Sequence, residues 1–212
     1  MKAQDSMKAQ DLLEHHAPAW HEATRHPFLD AVRDGTLSWE AFATWLTQDY
    51  LFAHDALIFQ ARLLARAPRA DQVVLARGLV AIEAELGWFE EQVERWGLDL
   101  RAPRHPTGAA YREFLLRFLE HEPYPAAITA LWALERAYLE AWRGATPSHP
   151  EYREFVEHWT TPDFAEYVAE LEQAADRALE PGSERERVEA AFLDVARLER
   201  DFWEMAFSGG KR

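Results

Sequence analysis

From Ser38 to Leu64 apolar residues recur three and four positions apart: Trp39, Phe42, Leu46, Ala53, Ala56, Leu57, Leu63 and Leu64, until Pro68 stops the pattern. That period is the face of an α-helix, and Ser38 is placed to cap its start. The same reading gives helices near 8–24, 71–96, 107–120, 125–143, 149–178 with a break near Pro162, and 183–207, beside the one at 38–66. Ser183 and Glu186 form a capping box for the last. Glycine is scarce, at 9, and the punctuation falls at His26-Pro27, Asp34-Gly35, Ala67-Pro68, 97–106, 123–125, 144–150 and 181–182. No run alternates apolar and polar residues long enough for a sheet. The expected fold class is all-α: long helices on short loops, antiparallel neighbours in a multi-helix bundle, and a ligand site between facing helices.

A chain of 212 residues, 48% of them hydrophobic, is expected to form one domain. The expected boundaries are an N-terminal extension and start of the first helix at 1–19, a single helical domain at 20–207 and a tail at 208–212. Met1 to Asp5 repeat as Met7 to Asp11, which reads as a duplicated or alternative start without the apolar core of a signal peptide. Cysteine is absent, which removes thiolate metal sites, disulfides and a cysteine nucleophile and is compatible with a reducing cytoplasm, the expected location. A net charge of −14 argues against nucleic acid or a lipid surface as partner, and charge interrupts every apolar stretch before a membrane span is reached.

The chemistry sits in carboxylates on apolar faces. Residues three, four and seven apart share a helix face. On that rule Asp49 lies among Phe42, Trp45, Leu46, Phe52, Ala53 and Ala56. Glu135 lies among Ile128, Leu131, Trp132, Tyr138, Leu139 and Trp142, and Glu199 among Phe192, Val195, Ala196, Phe202, Trp203 and Ala206. A bare buried carboxylate costs several kcal/mol, so each must be neutralised, hydrogen-bonded or functional. The plain alternative is that each acid ties its helix to a tyrosine, tryptophan or arginine across the core. Glu83 and Glu85 show a weaker form of the pattern, and at their offsets both cannot face one core. Aromatic residues are first of all core filling, but beside the acids Trp45, Phe52, Trp132, Tyr138 and Trp159 are candidate walls of a slot for a flat heteroaromatic ring such as a pyrimidine.

Metal chemistry is the competing use of such acids, yet the Glu-x-x-His spacing of di-iron bundles does not occur. His21-Glu22 with His26 has one residue too many for a zinc helix and runs into Pro27. The remaining histidines, His158 among them, sit beside polar residues or in loops and are expected to be solvated. There is no Gly-rich phosphate loop and no Gly-x-Ser-x-Gly elbow.

Several stretches together resemble the TenA or thiaminase II proteins of the heme-oxygenase-like fold. They are His26-Pro-Phe28, Asp34-Gly-Thr-Leu37, Gln48-Asp-Tyr-Leu-Phe52, Tyr111 with Phe114-Leu, and Glu199 with Phe202-Trp203 and Met205-Ala, in the family's order and spacing from about Trp20 to Phe207. One branch of that family uses a cysteine in the helix that here spans Ile128 to Trp142. The chain looks like the other branch, TenA-E, to whose segments Thr129 to Glu140, Glu83 to Phe89 and Phe155 to Trp159 with Tyr167-Val are similar. With Tyr138 aligned to the family's site tyrosine, the cysteine falls at or beside Leu134, which makes Glu135 its candidate replacement.

The resemblance implies a homo-oligomer, tetramer or dimer, that salvages the pyrimidine half of degraded thiamin, with no metal and no organic cofactor. It implies that Asp49 hydrogen-bonds the aminopyrimidine edge, that Glu199 moves protons at the reacting carbon or leaving amine, and that Tyr111 and Tyr138 line the site. Phe52 and Trp159 stand where hydroxyl-bearing aromatics are common, keeping the stacking surface without the hydroxyl. The expected reaction is hydrolysis of a C–N bond of an aminopyrimidine or formylaminopyrimidine with water as nucleophile. Glu135 and Glu199 form the acid and base, and Asp49, Phe52, Tyr111, Tyr138, Trp45 and Trp159 hold the substrate. The other readings are an oxidase of the same fold class, cofactorless or di-iron, and a non-catalytic pyrimidine-binding or regulatory protein.

Overall fold

The computed structural model describes residues 7–179 and 184–209. It is built from α1 (Ala9–His15), α2 (Ala17–Thr24), α3 (Pro27–Asp34), α4 (Trp39–Arg66), α5 (Gln72–Trp96), α6 (Pro106–Glu120) and α7 (Tyr124–Gly144), then a 3-10 turn (Pro150–Tyr152), α8 (Arg153–His158), α9 (Pro162–Ala178) and α10 (Arg185–Phe207). No strand occurs among the described residues. The all-α bundle is as expected, and the long helices fall within two residues of their expected bounds.

Three differences have local causes. The stretch expected as one helix at 8–24 is two, because Pro18 lies in the first turn of α2 and the chain restarts at His16. The segment 27–34, expected only as punctuation, is a helix. His26 Nδ1 accepts from the Phe28 N–H at 3.1 Å, Pro27 fits the first turn, and Gly35 closes the end at φ 70°. The break near Pro162 is a full stop and restart: α8 ends at His158, and Thr161 caps α9 by accepting from the Phe164 N–H at 3.1 Å. Ser38 caps α4 as expected, its Oγ 3.2 Å from the Ala41 N–H. The capping box at Ser183 lies outside the described residues.

The bundle is organised by α4, α7 and α10. Helix α4 runs along α5 and α6; α7 lies between α9 and α10; α10 also packs on α2, α4 and α6. At the centre Trp45, Trp142, Trp203 and Phe155 are almost wholly buried, each such ring contributing about 1.5–3 kcal/mol by leaving water. They form one aromatic cluster: Trp45 meets Trp142 edge-on at 5.2 Å and Phe155 at 5.7 Å. This cluster fixes the floor on which the site rests.

Candidate active site

A cavity of about 380 Å³ opens between α4, α5, α7 and α9, within the range of small-molecule sites, about 300–1,000 Å³. Each helix lines it with residues three or four apart: Asp49 and Phe52 from α4, Leu134, Glu135 and Tyr138 from α7, and Phe164 and Tyr167 from α9. Helix α5 gives a stripe of Gly78, Ile82, Glu85 and Phe89, and the end of α8 adds His158 and Trp159. Trp159 is a rigid wall, stacked on Trp142 at 5.1 Å and 22° and edge-on to Tyr138 at 5.3 Å.

Three of the four inward acids are held by an aromatic donor. The Tyr138 hydroxyl donates to Asp49 Oδ2, joining α7 to α4. Tyr111 donates to Glu199 Oε1 at 2.5 Å, joining α6 to α10. The Trp159 indole N–H donates to Glu85 Oε1 at 2.6 Å. Glu135 differs: it lines the cavity, and none of the described hydrogen bonds engages it.

Burial raises all four acids. Asp49 is pushed well above the usual aspartate value by burial, against the Tyr138 hydrogen bond and with help from the charges of Glu85 and Glu199. Glu85 is raised to about 7 by burial, with the Trp159 hydrogen bond opposing, and Glu199 to about 7 by burial, with Tyr111 opposing. Among the glutamates Glu135 is raised furthest, to about 8, by burial and then by the charges of Glu85 and Glu199. It is therefore the glutamate that keeps its proton longest as pH rises. His158 is lowered to about 4 by burial, with Glu154 opposing, and its ring stacks on Trp88 at 4.0 Å. No lysine or arginine stands among the described residues lining the cavity.

Of the residues singled out from sequence, Asp49, Phe52, Glu135, Tyr138 and Trp159 share this cavity. Glu199 and Tyr111 form an adjoining buried pair outside the lining, reached through Phe52, whose ring lies 4.7 Å from that of Tyr111. Trp45 does not reach the cavity: it is 1% exposed and meets Trp159 edge-on at 5.6 Å, so it backs the wall and is not part of it. Trp132 is likewise buried, stacked on Phe192. Sequence reasoning gave Phe89, Phe164, Tyr167 and His158 no role in the site, although all but Phe164 lie in the segments that carry the resemblance, and it left Glu83 and Glu85 undecided. The structure separates that pair, since Glu83 is exposed while Glu85 lines the cavity. The 4-3-4 spacing of Gly78, Ile82, Glu85 and Phe89 was the available signal.

An all-helical bundle with an aromatic, acid-lined cavity between facing helices defines a class of small-molecule site. The chain belongs to the TENA/THI-4/PQQC family, whose model matches residues 13–209. It is 32% identical over 208 residues to a probable bifunctional TENA-E protein of Glycine max, covering 92% of this chain and 90% of that protein. It is 27% identical to an aminopyrimidine aminohydrolase of Halalkalibacterium halodurans, covering 94% and 95%. Among solved structures, a TenA homologue from Pyrococcus furiosus superposes with a TM-score of 0.90 at 30% identity, covering 95% of this chain and all of that one. No helix among the described residues is long and apolar enough to cross a membrane.

Proposed function

We propose that the chain is a hydrolase of thiamin salvage that cleaves a C–N bond of a thiamin-derived aminopyrimidine or formylaminopyrimidine with water as nucleophile. The observation that carries this is Glu135: a cavity-facing carboxyl without a described protein partner, raised to about 8, in a family member with an aminopyrimidine aminohydrolase among its relatives. A group that changes protonation near neutral pH and faces open space is suited to general acid–base work. The aromatic walls accept the flat ring, and Asp49, fixed by Tyr138, accepts hydrogen bonds from its amino edge.

Glu135 and Glu199 supply and remove the protons. For the formamide, water adds to the formyl carbon while a carboxylate takes its proton. The C–N bond then breaks as the second carboxyl protonates the leaving nitrogen, giving formate and the amine. Two acids whose pKa values are spread by burial and mutual charge can divide those tasks. Localisation in the cytoplasm and assembly as a homotetramer or dimer belong to the same reading. The mass of the particle in solution, two or four times 24.5 kDa, tests the assembly.

The experiment is a substrate panel of thiamin, aminopyrimidine and formylaminopyrimidine, assayed for hydroxymethylpyrimidine, ammonia and formate. Turnover of one or both of the last two is expected, and Glu135→Gln and Glu199→Gln should each lose about 10²-fold or more in rate. Full activity in both variants would exclude the mechanism, and no turnover of any of the three would exclude the function.

A further inference from the structure

We propose that Glu85 is a substrate-contacting residue of this site, a carboxylate held by Trp159 that receives the amine arm of the substrate and favours a cationic arm over a neutral one. The inference rests on the hydrolase reading above and assigns a residue that neither the sequence motifs nor that reading places. Only one of the two Glu85 oxygens has a described protein donor: Oε1 accepts from the Trp159 indole, and no described hydrogen bond engages Oε2. The indole that fixes it is immobile, packed against Trp142, Tyr138 and Trp88 at 5.1, 5.3 and 5.1 Å. The carboxylate is thus held by a wall residue from outside its own helix, which leaves one acceptor oxygen for the cavity.

The charge of the cavity points the same way. Asp49, Glu85 and Glu135 line it, Asp163 stands at its exposed edge, and lysine and arginine are missing from the described lining. The imidazole there, His158, is neutral at pH 7. Carboxyls that burial holds near neutrality, gathered in an aromatic enclosure with no counter-ion among the described lining, are ionised and paired by a cation that enters. A primary amine carries that charge near neutral pH and offers N–H donors for a charge-assisted bond to carboxylate; a hydroxymethyl or formamide arm does not.

In the amine reaction the C–N bond breaks with its electron pair going to nitrogen, and the oxygen of water forms the new C–O bond. The proton lost by water passes through a site carboxylate to the departing ammonia, so alkylammonium and water become alcohol and ammonium. A cation is present beside Glu85 at both ends of the reaction. Its contribution is therefore mostly uniform binding, read in KM more than in kcat.

The test compares wild-type, Glu85→Gln and Trp159→Phe protein at about pH 8, where Glu85 is ionised. Two quantities are measured: KM for the aminomethyl substrate, and the inhibition constant of the neutral hydroxymethyl product. Glu85→Gln should raise the amine KM by about tenfold or more and change the product constant by less than about threefold. Trp159→Phe keeps the charge but frees the carboxylate, so it should shift the amine KM in the same direction by a smaller factor. Equal loss for both ligands, or no loss for either, overturns the inference, as does wild-type hydrolysis of the formamide alone. If Glu85→Gln does not fold, unchanged discrimination in Trp159→Phe overturns it. Should the wild type process neither pyrimidine, the hydrolase reading falls as well. If the wild type processes the amine and the Glu85 variant discriminates normally, only the role of Glu85 is lost.

Discussion

Glu135 and Glu199 are chemically identical and sit on similar apolar stripes, yet Glu135 faces the cavity without a described donor and Glu199 lies behind it on a hydroxyl. Tyr111 donates to Glu199 at 2.5 Å, and that bond opposes the rise that burial imposes. A hydrogen bond to a charged group is worth about 1.5–3 kcal/mol, or roughly one to two pH units. Tyr111→Phe should therefore push Glu199 higher and move the acid limb of the pH–rate profile upward by about one pH unit. The midpoint of unfolding should fall by roughly 2–6 °C, since the donor to a buried carboxyl is lost. An acid limb that stays in place would show that Glu199 does not titrate in the rate. Residue identity made the acids legible: Asp49, Glu135 and Glu199 stood out because their neighbours at helical offsets are apolar. What each acid meets across the bundle was not legible, because Tyr111 and Glu199 are 88 positions apart. Trp45 shows the same limit: it shares a face with Asp49, yet its large ring turns into the Trp142 and Phe155 cluster.

At the scale of elements, proline marked helix starts more often than the punctuation reading implied. Pro27, Pro106 and Pro162 each follow a residue whose side chain accepts from a backbone N–H of the first turn: His26, His105 and Thr161. The ring removes a donor that the first turn leaves unpaired anyway. A histidine as that cap lies outside the usual Ser, Thr, Asp and Asn set; α6, capped in the same way, was still read from its apolar period, whereas α3, at 8 residues, is too short to display one. Gly78 on α5 shows a further element-scale constraint. A β-carbon there would collide with Gln60 Nε2 and the Tyr167 hydroxyl, which are bonded to each other's side chains at 3.1 Å while Gln60 also donates to the Leu75 carbonyl at 2.8 Å. The glycine lets α5 approach α4 and α9 closely enough to share that network at the cavity wall. Gly78→Ala should lower stability by about 1–3 kcal/mol through overpacking, despite the roughly 1 kcal/mol that alanine gains in helix propensity. Thermal unfolding checks it, and an unchanged or raised midpoint would mean that the three helices separate without cost.

For the molecule as a whole, the site's acids set how stability varies with pH. The unfolded chain titrates its glutamates near 4.5, whereas the fold holds Glu85 and Glu199 to about 7 and Glu135 to about 8. Between those limits the folded state binds more protons, so raising the pH favours unfolding. His158 acts in the opposite sense: its value falls from 6.5 to about 4, so the unfolded state holds the extra proton there and stability rises with pH until about 6.5. His26, also lowered by burial, adds to that side. The two effects oppose each other below pH 6.5 and only the acids remain above it, which places the stability maximum on the mildly acidic side. A decline of about 2–3 kcal/mol from pH 6.5 to about 8.5 corresponds to a midpoint lower by roughly 5–10 °C for a chain of this size. Glu135→Gln removes the acid with the largest rise among the glutamates, so it should raise the midpoint at about pH 8.5 by roughly 5 °C and change it little at about pH 5. The same variant should be the one that loses hydrolysis. Stability gained and activity lost at one residue is the expected mark of a group kept buried for its chemistry. A midpoint that is flat across this range in the wild type, or equally shifted at both pH values in Glu135→Gln, would show that the acids are neutralised in some other way and that the cavity does not store their charge.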